Sequence, residues 1–191
     1  MLQSIIPSKT RRKILALFFN NIGSSYHLRR VGRETHEEIN AVKRELDILE
    51  RAKVLKKERR LNKSIYSLNH SYIFFNEFLR IFFKQASLVT SILKNQTKLG
   101  KVKYIAVSTK LPKREIIPES EIYLLFIGTI PAVEIAKILE REKENYTFEI
   151  NYTVMTEDEF AFRKRNNDPF IWKFLRHPKI MLIGSEEALL S

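Results

Sequence analysis

The chain has 191 residues, enough for two compact units of about 70 and 90 residues with a connector. Hydrophobic residues make up 44% and charged residues 29%, a mixture that can bury cores and excludes a disordered chain, while the absence of cysteine excludes disulfides and thiolate metal sites. The 34 Lys and Arg against 22 Asp and Glu leave a net charge of +12, which points to nucleic acid or an anionic membrane surface as a partner.

That charge is uneven. Residues 1–69 carry 16 basic and 7 acidic side chains, a balance of +9, and the remaining 18 basic and 15 acidic leave +3. The polyanion footprint is therefore expected in the first third. No apolar N-terminal run resembles a signal peptide, so a cytoplasmic location is expected. The most apolar stretch, Tyr72 to Leu93, is interrupted by Asn76, Glu77, Arg80 and Lys84, which argues against a membrane span.

In chain order, Pro7 and Ser8 open a run in which Ile14, Leu15, Phe18 and Phe19 recur at helical spacing and which stops near Gly23. A second helix fits Tyr26 to Glu34, with Leu28 and Val31 inward and Gly32 permitting close approach of another helix. Thr35-x-x-Glu38 has the form of a capping box, so a third helix is predicted to begin there or within two or three residues. Its inner stripe is Ile39, Val42, Leu46 and Leu49, and Asn40, Lys43, Arg44 and Asp47 share another face. Short strands fit Val54 to Glu58 and Ser64 to Leu68, joined by a cationic turn containing Arg59, Arg60 and Lys63. Three helices, the third with an outward Asn, Lys and Arg face, followed by a basic hairpin, read as a winged helix-turn-helix over residues 1–70. Asn40, Lys43 and Arg44 are then the candidate base readers in double-stranded DNA, and Arg59, Arg60 and Lys63 the candidate phosphate contacts. Glu37 and Glu38 would oppose phosphate near the third helix.

From Ser71, the spacing of Phe75, Leu79, Phe82, Ala86 and Val89 predicts a connecting helix over 71–97, about 38 Å long at the standard rise. The stripe suits either a homodimer seam or the core of one chain. Residues 98–191 alternate strand and helix: Val102 to Ser108, Ile122 to Ile127, a helix over Ala132 to Lys143, Phe148 to Val154, a helix from Asp168-Pro169, and Lys179 to Ile183. The expected class is α+β, with a mixed sheet in the second domain.

Arg33-Glu34, the run Ala41 to Leu46, the segment Pro118 to Gly128 and the tail from Asp168-Pro169-Phe170 through Pro178 to Gly184 resemble a family of regulators that join an N-terminal winged helix to a C-terminal nucleotidyltransferase-like domain. The resemblance covers nearly the whole chain. Active members of the wider superfamily carry Gly-Ser at one strand end, which approaches the triphosphate, and Asp-x-Asp on the next, which holds divalent metal. The similar positions here are Val107-Ser108 and Glu121-Ile122-Tyr123. Mg²⁺ needs several oxygen ligands, and a protonated tyrosine supplies none near neutral pH. Val107 would fill the phosphate approach, and Pro112, near where a second glycine is usual, lacks an amide donor. The resemblance thus implies a degenerate nucleotide site at Val107, Ser108, Glu121 and Tyr123, with no catalytic residue, metal or cofactor, whose domain senses a nucleotide or protein ligand. An active nucleotidyltransferase using Glu121 and Glu149 on a protein or RNA, and an interaction protein of toxin-antitoxin type, are the alternatives. His27, His36, His70 and His177 have no metal-type spacing, and no Walker loop or Gly-x-Gly-x-x-Gly occurs.

Overall fold

After a single helical turn, α1 (Leu2–Ile5), Ser8 opens α2 (Lys9–Asn20) by accepting the Arg11 amide at 3.1 Å. The computed structural model describes residues 2–60 and 62–191, and the chain divides into two units, Met1–Phe83 and Lys84–Ser191. In the first, α2 buries Ile14, Leu15, Phe18 and Phe19 on one face. The predicted second helix starts two residues late, because Tyr26 and His27 belong to β1 (Ser25–His27) and pair with a later strand. Next comes α3 (Leu28–Thr35).

The capping box does not form. Thr35 is 4% exposed and its hydroxyl donates to the Val31 carbonyl at 2.7 Å, so it ends α3 rather than starting the next helix. His36 turns the chain with a φ of 52°, and Glu38 caps α4 (Ile39–Arg51) by accepting the amides of Asn40 and Ala41 at 2.8 and 2.9 Å. A Cβ on Gly32, within α3, would stand 3.3 Å from the tip of the Ile39 side chain, a close approach of the two helices. Val42, Leu46 and Leu49 are buried as expected, but Ile39, placed in the same stripe by its spacing, is 38% exposed because the first helical turn projects past the core.

Two strands follow, β2 (Leu55–Arg60) and β3 (Lys63–Leu68), in the antiparallel order β1-β3-β2. Arg59 and Arg60, expected in the turn, extend β2, with Arg59 opposite Ser64 and Arg60 opposite Lys63. Of the expected turn, Leu61 lies outside the described residues.

The connecting helix is two helices. Phe75, Leu79 and Phe82 of α5 (Phe75–Phe83) join the core built on α2, where Phe19 meets the rings of Phe75, Phe78 and Phe82 at 5.5 to 5.8 Å. Residues 84–86 are not helical, and α6 (Ser87–Lys94) packs on a helix of the second unit. The first three residues of the suggested dimer seam are therefore interior residues of one chain.

The second unit contains β4 (Lys101–Ser108), β5 (Leu124–Thr129), α7 (Ala132–Glu142), β6 (Tyr152–Met155), α8 (Glu157–Arg165), α9 (Pro169–Arg176), β7 (Lys179–Ile183) and α10 (Glu186–Leu190). Its sheet runs β6-β5-β4-β7 and is mixed: β5 and β6 are parallel, and the other two pairings are antiparallel. The continuous burial of Leu124 to Ile127 suits a central strand. Gly128 has a φ of 146°, and a Cβ there would fall 2.1 Å from the Lys101 carbonyl oxygen across the pairing. β6 is shorter than the predicted Phe148 to Val154, since residues 146–151 approach the sheet as a loop. Thr156 caps α8, and Asp168 caps α9 ahead of Pro169 at its first position, as the Asp168-Pro169 signal predicts.

Candidate functional site

Burial of Val42, Leu46 and Leu49 turns the opposite face of α4 outward, and Asn40, Lys43 and Arg44 are all exposed there. Neither Lys43 nor Arg44 makes an ion pair among the described residues, although the Arg44 charge acts on Glu38. The acidic groups nearby are already engaged. Glu37 pairs with Lys13 at 2.6 Å and Lys9 at 3.7 Å and accepts the Thr10 hydroxyl at 3.0 Å. The Lys13 hydrogen bond, followed by that of Thr10, holds its carboxyl below the usual range. Glu38 is held low by the Asn40 and Ala41 amides that it caps. Glu45 accepts from Ser8 at 2.6 Å and Arg11 at 2.7 Å. The Glu37 and Glu45 contacts tie α4 and the turn before it to α2 and its cap.

On the hairpin the three expected cations separate. Arg59 and Lys63 are exposed and make no ion pair among the described residues. Arg60 donates to Glu58 on its own strand at 2.8 and 3.2 Å, because alternation puts residues two apart on one face. Lys57 bridges to Asp47 of α4 at 3.5 Å and sits over the Tyr66 ring, so Asp47 of the outward face serves the hairpin. Arg29 and Arg33, exposed on α3 and also without an ion pair among the described residues, were missed by the sequence reading. Their four-residue spacing was the available signal.

Of the expected nucleotide-site residues in the second unit, Ser108 and Glu121 meet at one recess, whereas the Val107 and Tyr123 side chains are buried. Val107 is fully buried in mid-sheet, opposite Leu124 and Ile180. Ser108 ends β4, its amide donating to the Tyr123 carbonyl at 2.8 Å. Glu121 lies in the same small recess as Ser108, with Phe170, Lys173 and His177, but its carboxylate is taken on both oxygens: Lys110 donates to Oε2 at 2.7 Å, and Lys173 stands 3.1 Å from Oε1. Those two ammonium groups, Lys110 foremost, hold the Glu121 carboxyl below its ordinary value. The recess has a volume of about 10 Å³, room for roughly one water.

Tyr123 is 1% exposed, meets the tilted ring of Phe148 at 5.2 Å, and donates its phenol O–H to the Glu115 carbonyl at 2.7 Å. Burial raises its pKa further. It is a packing residue that pins the loop before β5. Glu149 lies on the surface of a different recess, beside α7, and among the described residues no three His, Asp or Glu side chains converge as a metal site would need. The residues present do not fit a two-metal centre. Lys173 comes from 52 residues beyond Glu121, a meeting that no sequence spacing signals.

Among the described residues no helix is long and apolar enough to cross a membrane. No family model, curated protein or solved structure matches the chain.

Proposed function

We propose that the chain is a cytoplasmic DNA-binding transcriptional regulator. In this reading the first unit is a winged helix-turn-helix with α4 as the recognition helix and the β2–β3 hairpin as the wing. The second unit is a nucleotidyltransferase-like domain that has lost catalysis and serves as a sensor or interaction domain. The observation that carries the reading is the outward set of Asn40, Lys43 and Arg44 on α4 together with Arg59 and Lys63 on the hairpin, all exposed and without ion-pair partners among the described residues, while Glu37, Glu38 and Glu45 are engaged elsewhere. Asn and Arg offer the donor patterns that adenine and guanine edges accept, and unpaired cations release counterions from phosphates.

The test is duplex binding measured by anisotropy against salt. A log-log slope of several units is expected, with Asn40→Ala and Arg44→Ala reducing preference for a specific site and Arg59→Ala with Lys63→Ala weakening all sequences alike. Absence of binding at low salt would remove the reading. An active nucleotidyltransferase would need Glu121 and Glu149 on shared metal, whereas the two line separate recesses and Glu121 holds two lysines. Labelled nucleoside triphosphates with Mg²⁺ or Mn²⁺ are accordingly expected to leave both the protein and added RNA unmodified, and metal-dependent labelling lost in Glu121→Gln would favour the enzyme.

A further inference from the structure

Beside α7, the loop over residues 146–151 leaves an open recess of about 500 Å³, within the size range of small-molecule sites. Its walls are aromatic and aliphatic, from Tyr146, Phe148, Tyr152 and Leu139, and its charged edge is acidic, with Glu140 and Glu149 against Lys143. Lys143 stands 3.6 Å from Glu140 and so offsets that carboxylate. Glu149 is exposed and makes no ion pair or hydrogen bond among the described residues, which leaves one uncompensated negative charge at the rim of an aromatic hollow.

The rings are mutually supported: Tyr146 meets Phe148 edge-on at 5.8 Å, and Phe148 lies tilted against the buried Tyr123. Tyr146 already carries a cation, since the Arg114 guanidinium lies 5.2 Å from its centroid. Burial pushes the Tyr146 phenol up to about 12, so it stays neutral in the physiological range. Neither Tyr146 nor Tyr152 donates its O–H to an acceptor among the described residues, which leaves two polar handles among the rings.

We propose that this recess binds a small organic cation with an aromatic or alkyl body, the body lying against Leu139, Phe148 and Tyr152 and the charge beside Glu149. Ring faces and an unpaired carboxylate attract the same sign of charge, and the aliphatic floor removes the ligand body from water. The assignment does not rest on DNA binding by the first unit.

Calorimetric titration of the full-length protein with tetraphenylphosphonium, and with tetraphenylborate of similar shape and opposite charge, tests it. Saturable binding of one phosphonium per chain is expected, weakened about fivefold in Glu149→Gln and by a similar factor in Tyr146→Leu, but kept in Tyr146→Phe, which retains the ring. Glu149 is exposed, so its variant keeps the test decisive if Tyr146→Leu fails to fold. Phosphonium affinity weaker than about 1 mM, affinity unchanged in Glu149→Gln, or borate displacing phosphonium with equal strength would overturn the proposal.

Discussion

In the proposed nucleotidyltransferase-like reading of the second unit Tyr123 occupies the position of a metal-binding carboxylate, yet its surroundings are built for a phenol. At 1% exposure, with Phe148 on its ring and the Glu115 carbonyl on its hydroxyl, it has no route to water for a charge. Tyr123→Asp is expected to destabilise the protein by at least about 3 kcal/mol, through the lost ring and a buried unpaired carboxylate, and to restore no transfer activity. Tyr123→Phe, which removes only the donor, should cost about 1 kcal/mol. Denaturant unfolding of both variants checks the pair, and a stable Tyr123→Asp protein would show that the site tolerates a ligand. Glu121 supplies a pH signature. Its folded pKa is depressed by Lys110 and Lys173, so its stabilisation is present above the unfolded carboxylate value and is lost as pH falls through the folded one. The stability difference between wild type and Glu121→Gln should therefore shrink on acidification from about pH 5 downward, and a constant difference would mean that neither lysine is felt.

At the scale of elements, the hairpin offers a substitution that should strengthen binding. Glu58 ties up Arg60 at 2.8 Å on an exposed strand, so Glu58→Gln is expected to tighten duplex binding and to steepen the salt dependence by up to about one unit of slope. Unchanged affinity in Glu58→Gln would place the hairpin away from phosphate. The outward face of α4 was legible in the spacing of Val42, Leu46 and Leu49, and α9 was legible in Asp168-Pro169, because local periodicity and caps carry that information. The break between α5 and α6 was not. Heptad-like spacing continues through Ala86, whereas the interruption reflects partners distant in sequence: Phe19 for α5, and for α6 the buried Glu142, which accepts from Ser87 at 2.5 Å and Ser91 at 3.0 Å. The same holds for β1, three residues that become a strand only by pairing with β3, and for Lys173, which meets Glu121 only through the packing of α9 on the sheet. The outward cations of α4 and the hairpin were thus readable, apart from the pairing of Arg60, whereas Arg29 and Arg33 of α3 were not, and the state of the carboxylate site depended on contacts between residues far apart in the chain.

At the scale of the whole molecule, the charge divides with the units. Residues 1–83 carry 17 basic and 8 acidic side chains, a balance of +9, against 17 and 14, a balance of +3, in residues 84–191. A single module of this size covers about 600 to 1,000 Å² of DNA, modest for discrimination, so the proposed working unit is a homodimer on a two-fold-symmetric site. The apolar stripe that suits a seam by its spacing is spent inside the chain at Phe75, Leu79 and Phe82, the last two 1% exposed. Replacing Leu79 and Phe82 with Asp should therefore unfold the first unit rather than release clean monomers. Dimerisation must then use another surface or be assembled by DNA itself, and light scattering of the full-length protein with and without a palindromic duplex separates the two. Two chains per duplex with half-sites about 10 base pairs or a multiple apart are expected. A dimer without DNA would locate the contact on the protein, and a pair formed only on DNA would make the duplex the scaffold. One chain per duplex, with protection of a single half-site, would sink the homodimer and leave α4 and its hairpin as a solitary reader.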